Sequence, residues 1–95
     1  MPESTTRFET PSADKYIKQL CKHFGHRVET TVGDNTGTCR FEIGTAQLDA
    51  DASALAIRLE AEDEERLKQM QHVIESHLLR FAFREEPGAL EWRSA

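Results

Sequence analysis

The chain has 95 residues, enough for one domain with a single modest core and no room for a second. At 38% apolar and 31% charged it has the make-up of a globular chain, and its net charge of −5 argues against a nucleic-acid footprint, which needs clustered Lys and Arg. No stretch is long and apolar enough to span a membrane, and residues 1–10 lack the apolar core of a signal peptide. A cytoplasmic location is therefore expected, with Cys21 and Cys39 as reduced thiols.

Residues 5–10 alternate and are β-prone, a first strand with Thr6 and Phe8 on its inner face. Thr10 and Pro11 read as an N-cap followed by proline at the first helical position. Ala13, Tyr16, Ile17, Leu20 and Phe24 then form one stripe of a helix over 11–24. Gly25 is predicted to stop it in the left-handed conformation that glycine adopts without strain.

From 27 to 61 the period changes to two. Val28, Thr30 and Val32 alternate with Arg27, Glu29 and Thr31, and after the turn formers of 33–37, Cys39, Phe41 and Ile43 alternate with polar neighbours. Gly44 and Thr45 fit a two-residue turn with glycine first, which would pair Ile43 with Ala46, Phe41 with Leu48 and Cys39 with Ala50. A turn at 51–54 sets Ala50 opposite Leu55, Leu48 opposite Ile57 and Ala46 opposite Leu59. The segment is a four-stranded antiparallel meander with one apolar and one polar face.

Residues 62–83 make the longest periodic stretch. Leu67, Met70, Ile74, Leu78 and Phe81 recur at three- and four-residue steps, with acids in the first turn and Arg80 and Arg84 at the other end, as the helix dipole favours. A tail from about residue 86 carries Leu90 and Trp92 in alternation. The predicted fold is α+β in the order β-α-β-β-β-β-α, one domain over 1–95. Both helices lie on the apolar face of a curved antiparallel sheet, and the first strand joins the meander at an edge. This order is that of the TATA-binding-protein-like folds, a likeness that carries no function.

Cys21, His23 and His26 have the residue types of a zinc site, but helical residues two apart point roughly 160–200° from each other, so Cys21 and His23 cannot share an ion. His26 lies past the helix end and can bend back toward His23. His77 sits on the apolar stripe of the long helix with Arg80 and Arg84 on the adjoining flank. It is expected as a buried imidazole bonded to a backbone carbonyl or to Tyr16, and otherwise as part of a pocket for an anion or a partner's carboxylate. Asp49 and Asp51 share the polar face of one strand, where turn chemistry explains them best. That face alternates in sign, as cross-strand ion pairing requires, and shows no aromatic platform for bases. No phosphate loop, dinucleotide fingerprint, protease helix or nucleophile elbow is present, so no catalytic set can be named and no cofactor is expected.

Two strings stand out as a pair: residues 15–26, Lys-Tyr-Ile-Lys-Gln-Leu-Cys-Lys-His-Phe-Gly-His, and residues 77–85, His-Leu-Leu-Arg-Phe-Ala-Phe-Arg-Glu. With the closing Leu90, Glu91 and Trp92 they resemble a family of short bacterial proteins known only as a domain of unknown function. Members of that family occur alone or joined to siderophore-interacting, flavin-dependent ferric reductases. The resemblance implies an accessory role near bacterial iron uptake and carries over no catalytic residue. The expected function is a non-catalytic binding or interaction module, acting on a protein partner or a second copy. The alternative is a small-molecule, metal or haem site built from His23, His26, His77, Cys21 and the arginines.

Overall fold

The structure, a computed structural model, describes residues 2–85 and 90–94. The elements run β1 (Glu3–Glu9), α1 (Ala13–Phe24), β2 (Glu29–Val32), β3 (Thr36–Phe41), β4 (Gly44–Ala50), β5 (Ala54–Ala61), α2 (Glu64–Phe81), a 3₁₀ turn (Phe83–Glu85) and β6 (Arg93–Ser94). The strands form one antiparallel sheet in the order β2-β3-β4-β5-β1-β6. The α+β class holds, and β1 joins the meander beside β5.

One face of the sheet makes the core. Cys39, Ala46, Leu48, Leu55, Ile57 and Leu59 point the same way across three strands and are all at most 1% exposed. Ile17, Leu20 and Cys21 of α1 and Met70, Ile74 and Leu78 of α2 close over them. Burying a leucine or isoleucine side chain is worth about 1.5–3 kcal/mol, so this shared cluster is what holds both helices on one side. Asp63 caps α2, its carboxylate accepting the N–H of Arg66 at 2.8 Å, and that bond holds the Asp63 carboxyl below its ordinary range.

The opposite face is polar and carries three cross-strand or turn ion pairs. Arg40 pairs with Glu29 directly across the β2–β3 ladder at 3.1 Å, Arg58 with Glu3, and Arg7 with Asp51 at 3.4 Å. Thr38 and Gln47, also opposite one another, are joined at 2.6 Å.

Several local expectations are corrected. The β3–β4 turn is Glu42 and Ile43, so Phe41 pairs with Gly44, Cys39 with Ala46 and Gly37 with Leu48. Each residue of β3 therefore meets a partner four residues earlier than expected, an even shift, so every side chain keeps its face. Gly44 is needed for packing: a Cβ there would collide with the carbonyl oxygen of Glu60 and press on Met70 Cγ at 3.2 Å. The β4–β5 register is the predicted one.

Gly25 is right-handed at φ −60°, ψ −17°, not left-handed. Helix α1 starts at Ala13, with Ser12 rather than Thr10 in the N-cap position, while the Thr10 hydroxyl donates to Glu85 at 3.0 Å and accepts the N–H of Ser12 at 3.1 Å. Helix α2 spans 64–81 rather than 62–83, and β2 begins at Glu29 rather than 27.

Of the tail expected from about residue 86, residues 86–89 and Ala95 lie outside the described residues. The remainder is held down. Trp92 Nε1 donates to Glu75 at 2.9 Å, Thr6 donates to the carbonyl of Glu91 at 2.7 Å, and Arg93–Ser94 adds the short outer strand β6 beside β1.

Candidate functional site

The site forms where α1 ends. The carbonyl of Cys21 accepts the N–H of Gly25 at 2.8 Å, and the carbonyl of Phe24 accepts those of Arg27 and Val28, both at 2.9 Å. These bonds satisfy two of the last four carbonyls of the helix and fold residues 25–27 into a tight turn leading to β2. His26 and Arg27 are thereby brought beside His23, which lies in the last turn of the helix.

Helix α2 supplies the other wall. The rings of His23 and His77 lie 4.8 Å apart, centre to centre, and Phe24 meets His77 at 5.0 Å and Phe41 at 5.0 Å, both edge-on. Between them opens a groove of about 600 Å³, with Phe24, Phe41, Val28 and Val73 as its apolar lining and His23, His26, Arg27 and His77 as its polar one. A smaller groove of about 310 Å³ shares His23 and His26 and adds Gln19, Lys22 and Phe81.

The charges here are of one sign. Loss of water around its ring, then the fields of His77, Arg27, His26 and Arg80, hold the His23 imidazole below its ordinary value of 6.5. Among the described residues, none of these five groups takes part in an ion pair. His77 Nδ1 lies 2.7 Å from the carbonyl of Val73, so Nδ1 carries the proton and donates, which leaves Nε2 for another partner.

The residues singled out in the sequence divide as follows. His23, His26 and His77 line one groove, and Arg80 contributes its field. Arg84 lies in the 3₁₀ turn, over the ring of Phe83 at 5.7 Å, and lines neither groove. His77 is half-buried, bonded within its own helix and not to Tyr16, whose hydroxyl donates to Glu85. Phe81 is half-buried at the groove's edge rather than in the core, with its ring 6.0 Å from that of His23.

Cys21 is turned away from the histidines. It is buried with its Sγ 3.8 Å from Cys39 Sγ, so the Cys21, His23 and His26 set does not assemble. Burial and the neighbouring thiol push Cys39 up to about 12, and burial raises Cys21. Among the described residues no three His, Cys, Asp or Glu side chains gather as a metal site. The Asp51 carboxylate is consumed by its turn, accepting the N–H groups of Ser53 and Ala54 at 2.8 Å each.

Arg27, Val28, Phe24, Phe41 and Val73 were not legible as site residues. Arg27 reads as an outward strand position, yet lies in the turn before β2. A signal for it does exist: no acid stands between Asp14 and Glu29, while Lys15, Lys18, Lys22, His23, His26 and Arg27 fall within that span of an acidic chain.

Residues 5–93 match a family described as an uncharacterised protein conserved in bacteria, DUF2218. The NMR structure of PA4090 from Pseudomonas aeruginosa is similar, with a TM-score of 0.80 and 33% sequence identity. That likeness covers 100% of this chain and 96% of that one. A search of curated proteins finds no match. The chain belongs to the DUF2218 family.

Proposed function

We propose that this DUF2218 member is a non-catalytic binding module whose ligand site is the groove between the end of α1, the turn that follows it, β3 and α2. One observation carries the reading: three imidazoles and the Arg27 guanidinium line one aromatic-floored groove, within the field of Arg80, and among the described residues none of them is paired with an acid. Unpaired like charge destabilises a fold, and a bound anion offsets that cost. The volume falls within the range of about 300–1,000 Å³ that small-molecule sites occupy.

Among the described residues the groove lining contains no carboxylate, thiol or hydroxyl that could serve as a nucleophile or as an acid–base partner to the histidines. This favours holding over transformation. The metal alternative is disfavoured by the orientation of Cys21 into the core. An accessory place near iron and siderophore metabolism, with a protein partner or a second copy, is supported by the family resemblance alone.

A fragment screen followed by amide and imidazole NMR shifts tests the reading. Hits should gather at His23, His26, His77, Phe24 and Phe41. Hits confined to the polar face of the sheet, or none at about millimolar concentration, the weak end of specific binding, would sink it.

A further inference from the structure

We infer that the groove takes a small planar aromatic carboxylate and binds it together with a proton. The inference rests on the binding-module reading and names the ligand class and the pH dependence of that same site.

The sign of the ligand follows from the field. The chain carries −5 overall, so an anion is repelled from most of its surface and drawn to this one end. Basic groups at a helix C-terminus ordinarily answer the dipole of the helix. Here the terminal carbonyls of Cys21 and Phe24 are already taken by backbone N–H groups, so the side-chain cations remain available. The same dipole disfavours a compact dianion such as phosphate, which binds best at helix N-termini and nests of N–H groups. A single negative charge attached to an apolar body suits both the rim and the floor.

The shape of that body follows from the walls. Phe24 stands edge-on to both Phe41 and His77, and Val28 and Val73 flank them, so the lining is flat-sided and apolar. An arene lying there keeps the offset or edge-to-face contacts that aromatic groups prefer. Arg27 offers a carboxylate its two-pronged donor fork, and Nε2 of His77 points its free valence to a further partner because Nδ1 is committed to Val73.

The proton follows from the neighbours of His23. From α1 and its turn these are His26 and Arg27, and from α2 His77 and Arg80, every one a cation or a potential one. Together with the loss of water around its ring, they hold His23 below its ordinary value in the absence of a ligand. A carboxylate reverses their effect and favours the imidazolium, so binding takes up a proton and tightens as pH falls through the ordinary histidine range.

The test uses the full chain and three probes: 2-naphthoate, the neutral 2-naphthylmethanol, and inorganic phosphate. Affinities are read from NMR titrations between about pH 5.5 and pH 8, the range in which histidine titrates. Naphthoate should shift the His23 and His77 imidazoles and bind at least about tenfold more tightly than the alcohol or phosphate. Its affinity should rise with falling pH, by up to about tenfold per unit for one proton taken up. His23→Gln should abolish that slope while retaining binding, and Arg27→Gln should weaken binding about tenfold without lowering the melting temperature.

The alcohol binding as well as the acid would overturn the inference while leaving the binding-module reading intact. So would phosphate binding more tightly, or a slope that persists in His23→Gln. Naphthoate binding away from the groove overturns the inference as well.

Discussion

On the open face of the sheet three arginines have their acids: Arg7 meets Asp51, Arg40 meets Glu29 and Arg58 meets Glu3. At the end of α1, Arg27 and Arg80 stand among three histidines and, within the described residues, none of them has one. Both regions are exposed and rich in arginine, so composition alone does not separate them. Compensation does. A surface whose charges cancel locally has nothing to gain from a ligand, whereas one whose charges repel gains whatever an anion restores. Net charge conceals the distinction, because the acids that outweigh the groove lie elsewhere.

The comparison breaks most completely if the groove loses its floor. Phe24 is 7% exposed and touches Phe41, His23 and His77, so Phe24→Ala should cost about 3–5 kcal/mol in a denaturant melt. That is a large share of the roughly 5–15 kcal/mol that holds a small domain together. Phe81→Ala, at a half-buried position, should cost about 1–2 kcal/mol. On the open face, Thr38→Ala removes one hydrogen bond to Gln47 and should cost about 0.5–1.5 kcal/mol. A Phe24→Ala melt matching that of Thr38→Ala would show that the rings are not part of the core.

His77→Ala probes the other wall. The imidazole is half-buried and its one strong bond runs to the carbonyl of Val73 in its own helix, which also keeps its helical partner. The expected loss is about 0.5–1.5 kcal/mol, with most of the effect falling on the groove. A loss above about 3 kcal/mol would make this residue a core histidine, since that is the range for a buried polar network broken open.

Acid should act on the two regions in different windows. His23 has a folded value below 6.5, so the unfolded chain takes up the proton first as pH falls. Its contribution to stability is complete above 6.5 and declines as pH drops through that value toward the lower folded one. Asp51 is held below its ordinary 3.8, chiefly by the N–H of Ser53, and its contribution is complete above 3.8 and lost only as pH falls through its lower folded value. Melting temperature against pH should therefore show two separate declines. His23→Gln should remove the upper one and leave the lower. A single decline below pH 4 in the wild-type chain would show that the imidazole is not under strain from its neighbours.

How much of this could be read in advance depends on what fixed each feature. The β4–β5 register was legible because loop length and apolar alternation both point to Ala50 opposite Leu55. The β3–β4 turn was not, since moving it by an even step leaves every side chain on its face, and Gly44 is required by Glu60 and Met70 rather than by the turn. The core stripes of both helices were visible in periodicity. The groove was not, because it depends on how closely the end of α1 approaches α2, and because Phe24 and Phe41 look like any other core residue in sequence. Arg27 was hidden by a period-two pattern that begins two residues before the strand does.

The smallest expected effect carries the sharpest sign. Arg27→Gln removes a cation from a cluster of cations, and Arg40→Gln removes one from a matched pair with Glu29. Neither side chain is core, so both changes should shift Tm by only about 1–3 °C. The directions should be opposite: Arg27→Gln raises Tm because repulsion is relieved, and Arg40→Gln lowers it because Glu29 loses its partner. Salt gives an independent check, since screening weakens repulsion and attraction alike at these exposed sites. Raising ionic strength should shrink both shifts toward zero, and the Arg27→Gln gain should disappear when the groove is filled by an anion. If the two variants shift Tm in the same direction at low salt, the groove's charges are compensated after all, and the contrast between the two surfaces does not hold.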